Sequence, residues 1–295
     1  MKLSVSTYSL WRWRRENQKT PDEALQWIAQ SGASAVEFVG LEELPGEDLV
    51  KKAQYWKKRA TELGLAVAGF CVWGELLVNE QLQRQAIDQL KRQIDAAAAL
   101  GVRSMRHDVT AGWSERNEDV KGPRTFAHAL KVLVPALQEI TEHGKKVGVI
   151  TTLENHGFFM QESRRVERLL KAVNHKNYRL TLDVGNFLCV NENPTLAVKR
   201  LAKYAVMVHA KDFHVRKKAN VPDTGWFKTP TPIALRGAIA GHGAVDLPAV
   251  LKLIKAAKYN GYLSLEFEGM EDPAVAVKLG LDYLKRELEA INALG

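Results

Sequence analysis

Eight short strand-like runs recur along this chain, and each is followed by a helix-like stretch: Leu3–Thr7, Ala35–Val39, Leu65–Phe70, Val102–His107, Gly148–Leu153, Tyr178–Leu182, Ala205–Val208 and Leu263–Phe267. The intervals hold a strand, a helix and two loops. They are too long for hairpins, so successive strands are expected to run parallel with helical crossovers. Eight βα units argue for one closed (β/α)8 barrel of the α/β class. Average domain size would suggest two domains for 295 residues, but a barrel takes them all as one, spanning 1–295. The rival, a doubly wound open sheet, wants G-x-G-x-x-G after its first strand. Here that strand runs into Tyr8-Ser9-Leu10-Trp11, and no GxxxxGK[ST] occurs anywhere.

The helices carry their own start signals. Thr20-Pro21-Asp22-Glu23 is a capping box, in which the Thr20 oxygen accepts from the otherwise unpaired Glu23 amide. Asp246-Leu247-Pro248 and Asp272-Pro273 open two later helices in the same way. In the last one, Val277, Leu281, Leu284, Leu288 and Ile291 form one apolar stripe. Gly32, Gly64, Gly101, Gly144 and Gly261 each precede a strand, where a helix C-cap is expected.

Composition removes several classes of function. With 46% hydrophobic and 26% charged residues, the chain is neither disordered nor of low complexity, and it can bury a large core. No apolar run reaches the length of a membrane span. Met1–Thr7 has no apolar stretch of the kind a signal peptide needs and reads as the first strand. Two cysteines, Cys71 and Cys189, are too few for a disulfide framework and are expected as buried thiols of a cytoplasmic protein. The net charge of +8 permits a nucleic acid or an anionic substrate. Most basic residues, however, stand near acids, as Lys57-Lys58-Arg59 do before Glu62, and read as solvated helix faces. Neither nucleic acid nor membrane is expected as a partner. Two basic clusters stand apart: Arg12-Trp13-Arg14-Arg15 and His214-Val215-Arg216-Lys217-Lys218.

In a barrel, chemistry belongs at the C-terminal ends of the strands. The fifth run ends in Leu153-Glu154-Asn155-His156, the sixth in Leu182-Asp183-Val184-Gly185-Asn186, the seventh in Val208-His209-Ala210-Lys211-Asp212 and the eighth in Leu265-Glu266-Phe267-Glu268. Each residue alone could be a loop acid or a core histidine. Together, three carboxylates and an imidazole would converge in a barrel mouth, where buried charge is costly unless something offsets it. One divalent cation removes that penalty. The donor set suits Mn2+ first, with Mg2+, Co2+ or Zn2+ also admitted.

These same pieces, with Gly241-His242-Gly243-Ala244-Val245-Asp246-Leu247-Pro248 and Gly261-Tyr262-Leu263-Ser264-Leu265-Glu266-Phe267-Glu268, resemble the sugar phosphate isomerase/epimerase family, the xylose isomerase-like TIM barrels. The resemblance covers essentially the whole chain. It implies Glu154, Asp183, His209 and Glu266 as ligands of one metal, with Glu154 and Glu266 as the proton-transferring pair. It also implies a small-molecule sugar or sugar derivative as partner, and by analogy a homo-oligomer. The ketose epimerases of that family carry a histidine three residues after the sixth-strand aspartate, where this chain has Asn186. An arginine follows their metal histidine, and Arg216 matches it approximately.

Removing the weakly acidic proton beside a carbonyl needs a stabilised enediolate and a placed base. Two carboxylates give epimerisation, and a single base returning the proton to the neighbouring carbon gives isomerisation. Elimination of a leaving group from a keto-glycoside would be a lyase's use of the same step. Glu37, His107, His156, Asn186, Lys211 and Arg216 are the polar candidates for substrate contact. Lys211 and Asp212 are also candidates to orient ligands. Among aromatic residues in βα loops (Trp11, Trp13, Trp73, Trp113, Phe158, Phe159, Phe187, Trp226 and Phe227), Trp11 and Trp113 are the first choices for packing on a sugar face. The long segment Asn220–Pro232 reads as a lid or an oligomer contact. The fold and partial motif also resemble apurinic-site endonucleases. A three-zinc site needs more histidines at strand ends than this chain's eight allow, since His128, His143 and His175 fall on helices or their ends.

Overall fold

The computed structural model describes residues 1–41 and 48–293. Of the expected domain 1–295, residues 42–47 and 294–295 lie outside the described residues. In chain order the strands are β1 (Lys2–Ser6), β2 (Ala35–Val39), β3 (Ala66–Val72), β4 (Ser104–His107), β5 (Ile150–Glu154), β6 (Tyr178–Asp183), β7 (Ala205–Ala210), β8 (Asp212–Lys217), β9 (Phe227–Lys228), β10 (Ile233–Ala238) and β11 (Tyr262–Leu265). Strands β1 to β7 and β11 close into a barrel, with β11 joining β7 to β1. All barrel pairings are parallel. The eight expected runs are these eight strands. The expected Leu263–Phe267 run ends earlier, at Leu265, so Glu266 stands just past its strand.

The helix signals act as their chemistry requires. Glu23 N donates to Thr20 Oγ1 (3.2 Å), and Thr20 N donates to Glu23 Oε2 (2.9 Å). Asp246 and Asp272 cap their helices through the amides of Ala249 and Val275. The stripe from Val277 to Ile291 is buried against the barrel core. Two of the five glycine expectations fail. Gly144 lies inside the helix Phe126–Lys146, where the lack of a side chain admits the carbonyl of Val149. Before β11 the left-handed residue is Lys258 (φ +61°), and Gly261 has no positive φ.

The long interval before the last barrel strand carries a small sheet of its own. β8, β10 and β9 form an antiparallel sheet in that order, with β9 inside the expected lid segment. Asp212, the first residue of β8, fastens this annex to the barrel. Its buried carboxylate accepts from the amides of Phe213 (2.9 Å), Gly241 (3.1 Å), Gly243 (2.9 Å) and Val245 (3.1 Å). A Cβ at position 243 would stand 2.1 Å from Asp212 Oδ1, so the Gly-His-Gly-Ala-Val turn must carry glycine there. Burial pushes the Asp212 carboxyl up, and the four amides pull it back. Cys71 and Cys189 are free and buried. No described helix is long and apolar enough to cross a membrane.

Candidate metal centre

Glu154 ends β5, Asp183 ends β6, His209 is next to last in β7, and Glu266 follows β11. In the parallel ladder Asp183 stands opposite His209, and Ser264 opposite His209 on the other side. Strand alternation then turns all four side chains to the barrel axis at nearly one height. All four are buried. One donor atom from each lies within 4.8 Å of the others. His209 Nδ1 is 3.5 Å from Glu154 Oε1 and 3.4 Å from Glu266 Oε1.

Each donor is held from behind. Asp183 Oδ1 accepts from the amides of Gly185 (2.8 Å) and Asn186 (2.9 Å). The Asn155 side chain continues the β5–β6 ladder by bonding both Asp183 O (2.8 Å) and Asp183 N (3.0 Å). Asn186 Nδ2 donates to Glu154 Oε1 (3.0 Å). Arg106 Nε lies 2.6 Å from Glu154 Oε2, a charge contact without hydrogen-bond alignment. Arg106 also lies 3.0 Å from Asp108, which bonds His156 Nδ1 at 2.9 Å. Lys211 Nζ is 2.8 Å from Glu266 Oε2 and 3.2 Å from Asp183 Oδ2. Glu37 Oε1 lies 3.0 Å from His209 Nε2, an arrangement in which Nε2–H donates and Nδ1 keeps a free lone pair toward the other three donors.

Burial would raise Glu154, but Arg106 and His209 hold it well below the usual carboxylate range. Glu266 is lowered too, because Lys211 and His209 outweigh its burial. Asp183 goes the other way, to about 6, because burial exceeds the pull of Lys211. His209 is pushed well above its ordinary value: burial opposes this, but Glu37 and Glu266 prevail. That rise measures how strongly the surrounding carboxylates attract positive charge. The buried atoms His209 Nδ1 and Asp183 Oδ2 face the same point as Glu154 and Glu266. An orphaned buried polar atom costs about 1–3 kcal/mol, so His209 Nδ1, left without a hydrogen-bond partner among three carboxylates, marks a place for a shared ligand. Three carboxylates and one imidazole fit a divalent cation there.

Above the cluster opens a cavity of about 580 Å³, lined by Glu154, Glu266, Arg106, Lys211, His156 and Glu268 among others. Lys211 and His156 are thus where substrate contact was expected. Glu37 and Asn186 are behind the donors, on His209 and Glu154. His107 is not at the mouth. Arg106 points inward to Glu154, so the next residue faces the helices, and His107 packs beside Tyr178. Trp113 stacks on His128, and Arg216 lies in the annex; neither lines the mouth. Trp11 borders two smaller cavities that meet the mouth at Tyr8. Of the loop aromatics only Trp73 lines the mouth cavity, while Phe187 is core. Arg12, in the first basic cluster, is consumed by Glu16 and by the carbonyls of Gly269 and Glu271.

Arg106 and Asp108 flank the candidate His107 in the sequence but were given no role of their own there, and Tyr8 was given none either. Tyr8 O–H donates to Glu268 Oε2 (3.1 Å) across the mouth. The available signal for Arg106 was alternation: it lies on the inward face of a strand whose last residue is His107.

Fold and cluster together define a class, βα-barrels with a carboxylate–imidazole centre at the C-terminal mouth. The family model described as xylose isomerase-like TIM barrel matches residues 25–287, and the chain belongs to that family. It is 21% identical over 244 residues to an inosose dehydratase of Geobacillus thermodenitrificans (strain NG80-2), an alignment covering 81% of this chain and 80% of that one. Two inosose dehydratases of Clostridium botulinum align over 45% and 54% of their length. The solved L-ribulose 3-epimerase superposes with a TM-score of 0.73 at 16% identity, covering 99% of this chain and 96% of that one. A xylose isomerase-like TIM barrel protein from Mycobacterium smegmatis, solved in complex with magnesium, gives 0.69 at 16% identity over 92% and 88%. At such identities the likeness to the solved structures is one of fold.

Proposed function

We propose that this chain is a divalent-metal-dependent enzyme that removes the proton beside the carbonyl of a keto sugar or related polyhydroxy ketone and returns it elsewhere, as an isomerase or epimerase does. The observation that carries this reading is the convergence of Glu154 and Glu266 on one point beneath an open polar cavity. Glu154, Asp183, His209 and Glu266 would hold the ion, with Mn2+ the first choice. A bound ion supplies positive charge beside the reacting carbonyl. Glu154 and Glu266 take and return the proton. Arg106 and Asn186 keep Glu154 ionised and fixed, ready to accept, and Lys211 does the same for Glu266. Lys211, His156 and Glu268 are among the polar groups that line the cavity and can meet substrate hydroxyls.

The curated relatives named inosose dehydratase favour a second outcome of the same first step, in which a hydroxyl leaves from the next carbon as water. Incubation of the Mn2+-loaded protein in D2O with ketohexoses, 3-keto-glucosides and inosose separates the two. Deuterium at the carbon beside the carbonyl is expected, with rates falling about 10²- to 10⁴-fold in Glu266→Gln. An unsaturated ketone product marks the dehydratase. Absence of exchange in every substrate class overturns the reading.

Protons compete with the ion for the same donors. Asp183 sits at about 6 and takes up a proton as pH falls toward 5, while His209, raised well above its ordinary value, carries a proton that the ion must displace. Ion affinity is therefore expected to weaken about tenfold per pH unit for each proton displaced. Calorimetric titration with Mn2+ between pH 5.5 and 7.5 reads this, and a flat profile contradicts it.

A further inference from the structure

We infer that the cavity beside the annex sheet binds a phosphate-type oxyanion, at a place separate from the barrel mouth. This cavity, of about 430 Å³, is lined by His214, Arg216, Trp226, Arg236 and His242, and it shares no lining residue with the mouth. The sheet register explains the grouping. His214 pairs with Arg236 across β8 and β10, and Arg216 lies two residues along, opposite Ala234. Both guanidinium groups are drawn to one indole: Arg216 lies 5.2 Å and Arg236 5.6 Å from the Trp226 ring. Two cations sharing one ring repel each other, and little among the described residues offsets them. Among the described residues their one acid partner is Glu271, 3.7 Å from Arg236. Asp212, next along β8, is occupied by four backbone amides. Arg236 Nε is buried with no hydrogen-bond partner. Among the described residues, none forms a hydrogen bond or ion pair with the side chains of His214, Arg216 or His242.

The barrel centre gathers anions toward a point that suits a cation. Here the signs are reversed. Guanidinium forks match the oxygens of a phosphate, and two imidazoles can add donors. The cavity is larger than a bare phosphate needs, so it admits a phosphate carried on an organic body. The second basic cluster of the sequence, His214-Val215-Arg216-Lys217-Lys218, thereby acquires a use that the mouth does not give it.

The test is calorimetric titration of the full Mg2+-loaded chain with inorganic phosphate and with glycerol 3-phosphate at constant ionic strength. Saturable binding is expected, weakened about tenfold or more by Arg216→Ala. This residue is exposed, and its loss leaves the core intact. Lys58→Ala, which removes the same charge from an outer helix, should leave binding unchanged. Tighter binding of glycerol phosphate identifies a phosphorylated metabolite as the source, and equal binding identifies free phosphate. No saturation, indifference to Arg216→Ala, or equal weakening by Lys58→Ala overturns the inference.

Discussion

The Asp183→Asn chain is expected to bind Mn2+ more than about 100-fold more weakly than its parent and to lose proton exchange with it. Asp183 is the donor most completely committed to the centre. One oxygen is fixed by the amides of Gly185 and Asn186, and the other faces the donor cluster with the Lys211 ammonium 3.2 Å away. Stability should move the opposite way. The folded value of about 6 lies above the ordinary 3.8, so folding favours the protonated form. The stabilisation this gives is full below the unfolded value and is lost as pH rises through about 6. In a chelating buffer at neutral pH, the neutral amide should therefore be at least as stable as the carboxylate. Binding within threefold of the parent, or a large loss of stability in chelator, would contradict this assignment.

Asp212→Ala is expected to destabilise the protein by about 3–5 kcal/mol, because the amides of Phe213 and Val245 are buried and lose a charged acceptor. The amides of Gly241 and Gly243 sit closer to water and recover part of their loss. The unfolding midpoint in urea measures this, and a change under about 1 kcal/mol would contradict a fastening role. The Mn2+ affinity of whatever folded protein remains should stay near the parent value, since Asp212 touches none of the four donors.

Much of this was legible in the sequence because a βα-barrel ties strand ends to one place. Once the eight runs are found, Glu154, Asp183, His209 and Glu266 must gather at the mouth, whatever the loops do. What stayed hidden depends on parity and depth. Arg106 and His107 are neighbours in sequence, but alternation sends the first to Glu154 and the second toward Tyr178. Glu37 lies two residues before the end of β2, so it reaches the back of His209 and not the cavity. Asn186 follows β6 closely enough to reach Glu154, which spacing alone did not disclose. Arg216 was matched approximately to the arginine that follows the metal histidine in the ketose epimerases, but β8 is an annex strand that carries it away from the mouth. The Gly-His-Gly-Ala-Val turn stood out as a pattern, and only the folded chain ties it to Asp212.

A crystal grown with Mn2+ and measured at the manganese absorption edge gives the most direct check on the centre. One anomalous peak is expected, within about 2.0–2.4 Å of oxygens of Glu154, Asp183 and Glu266 and of His209 Nδ1. No peak among those four side chains at saturating Mn2+, or a peak bound elsewhere, would contradict the assignment and the proton chemistry that rests on it.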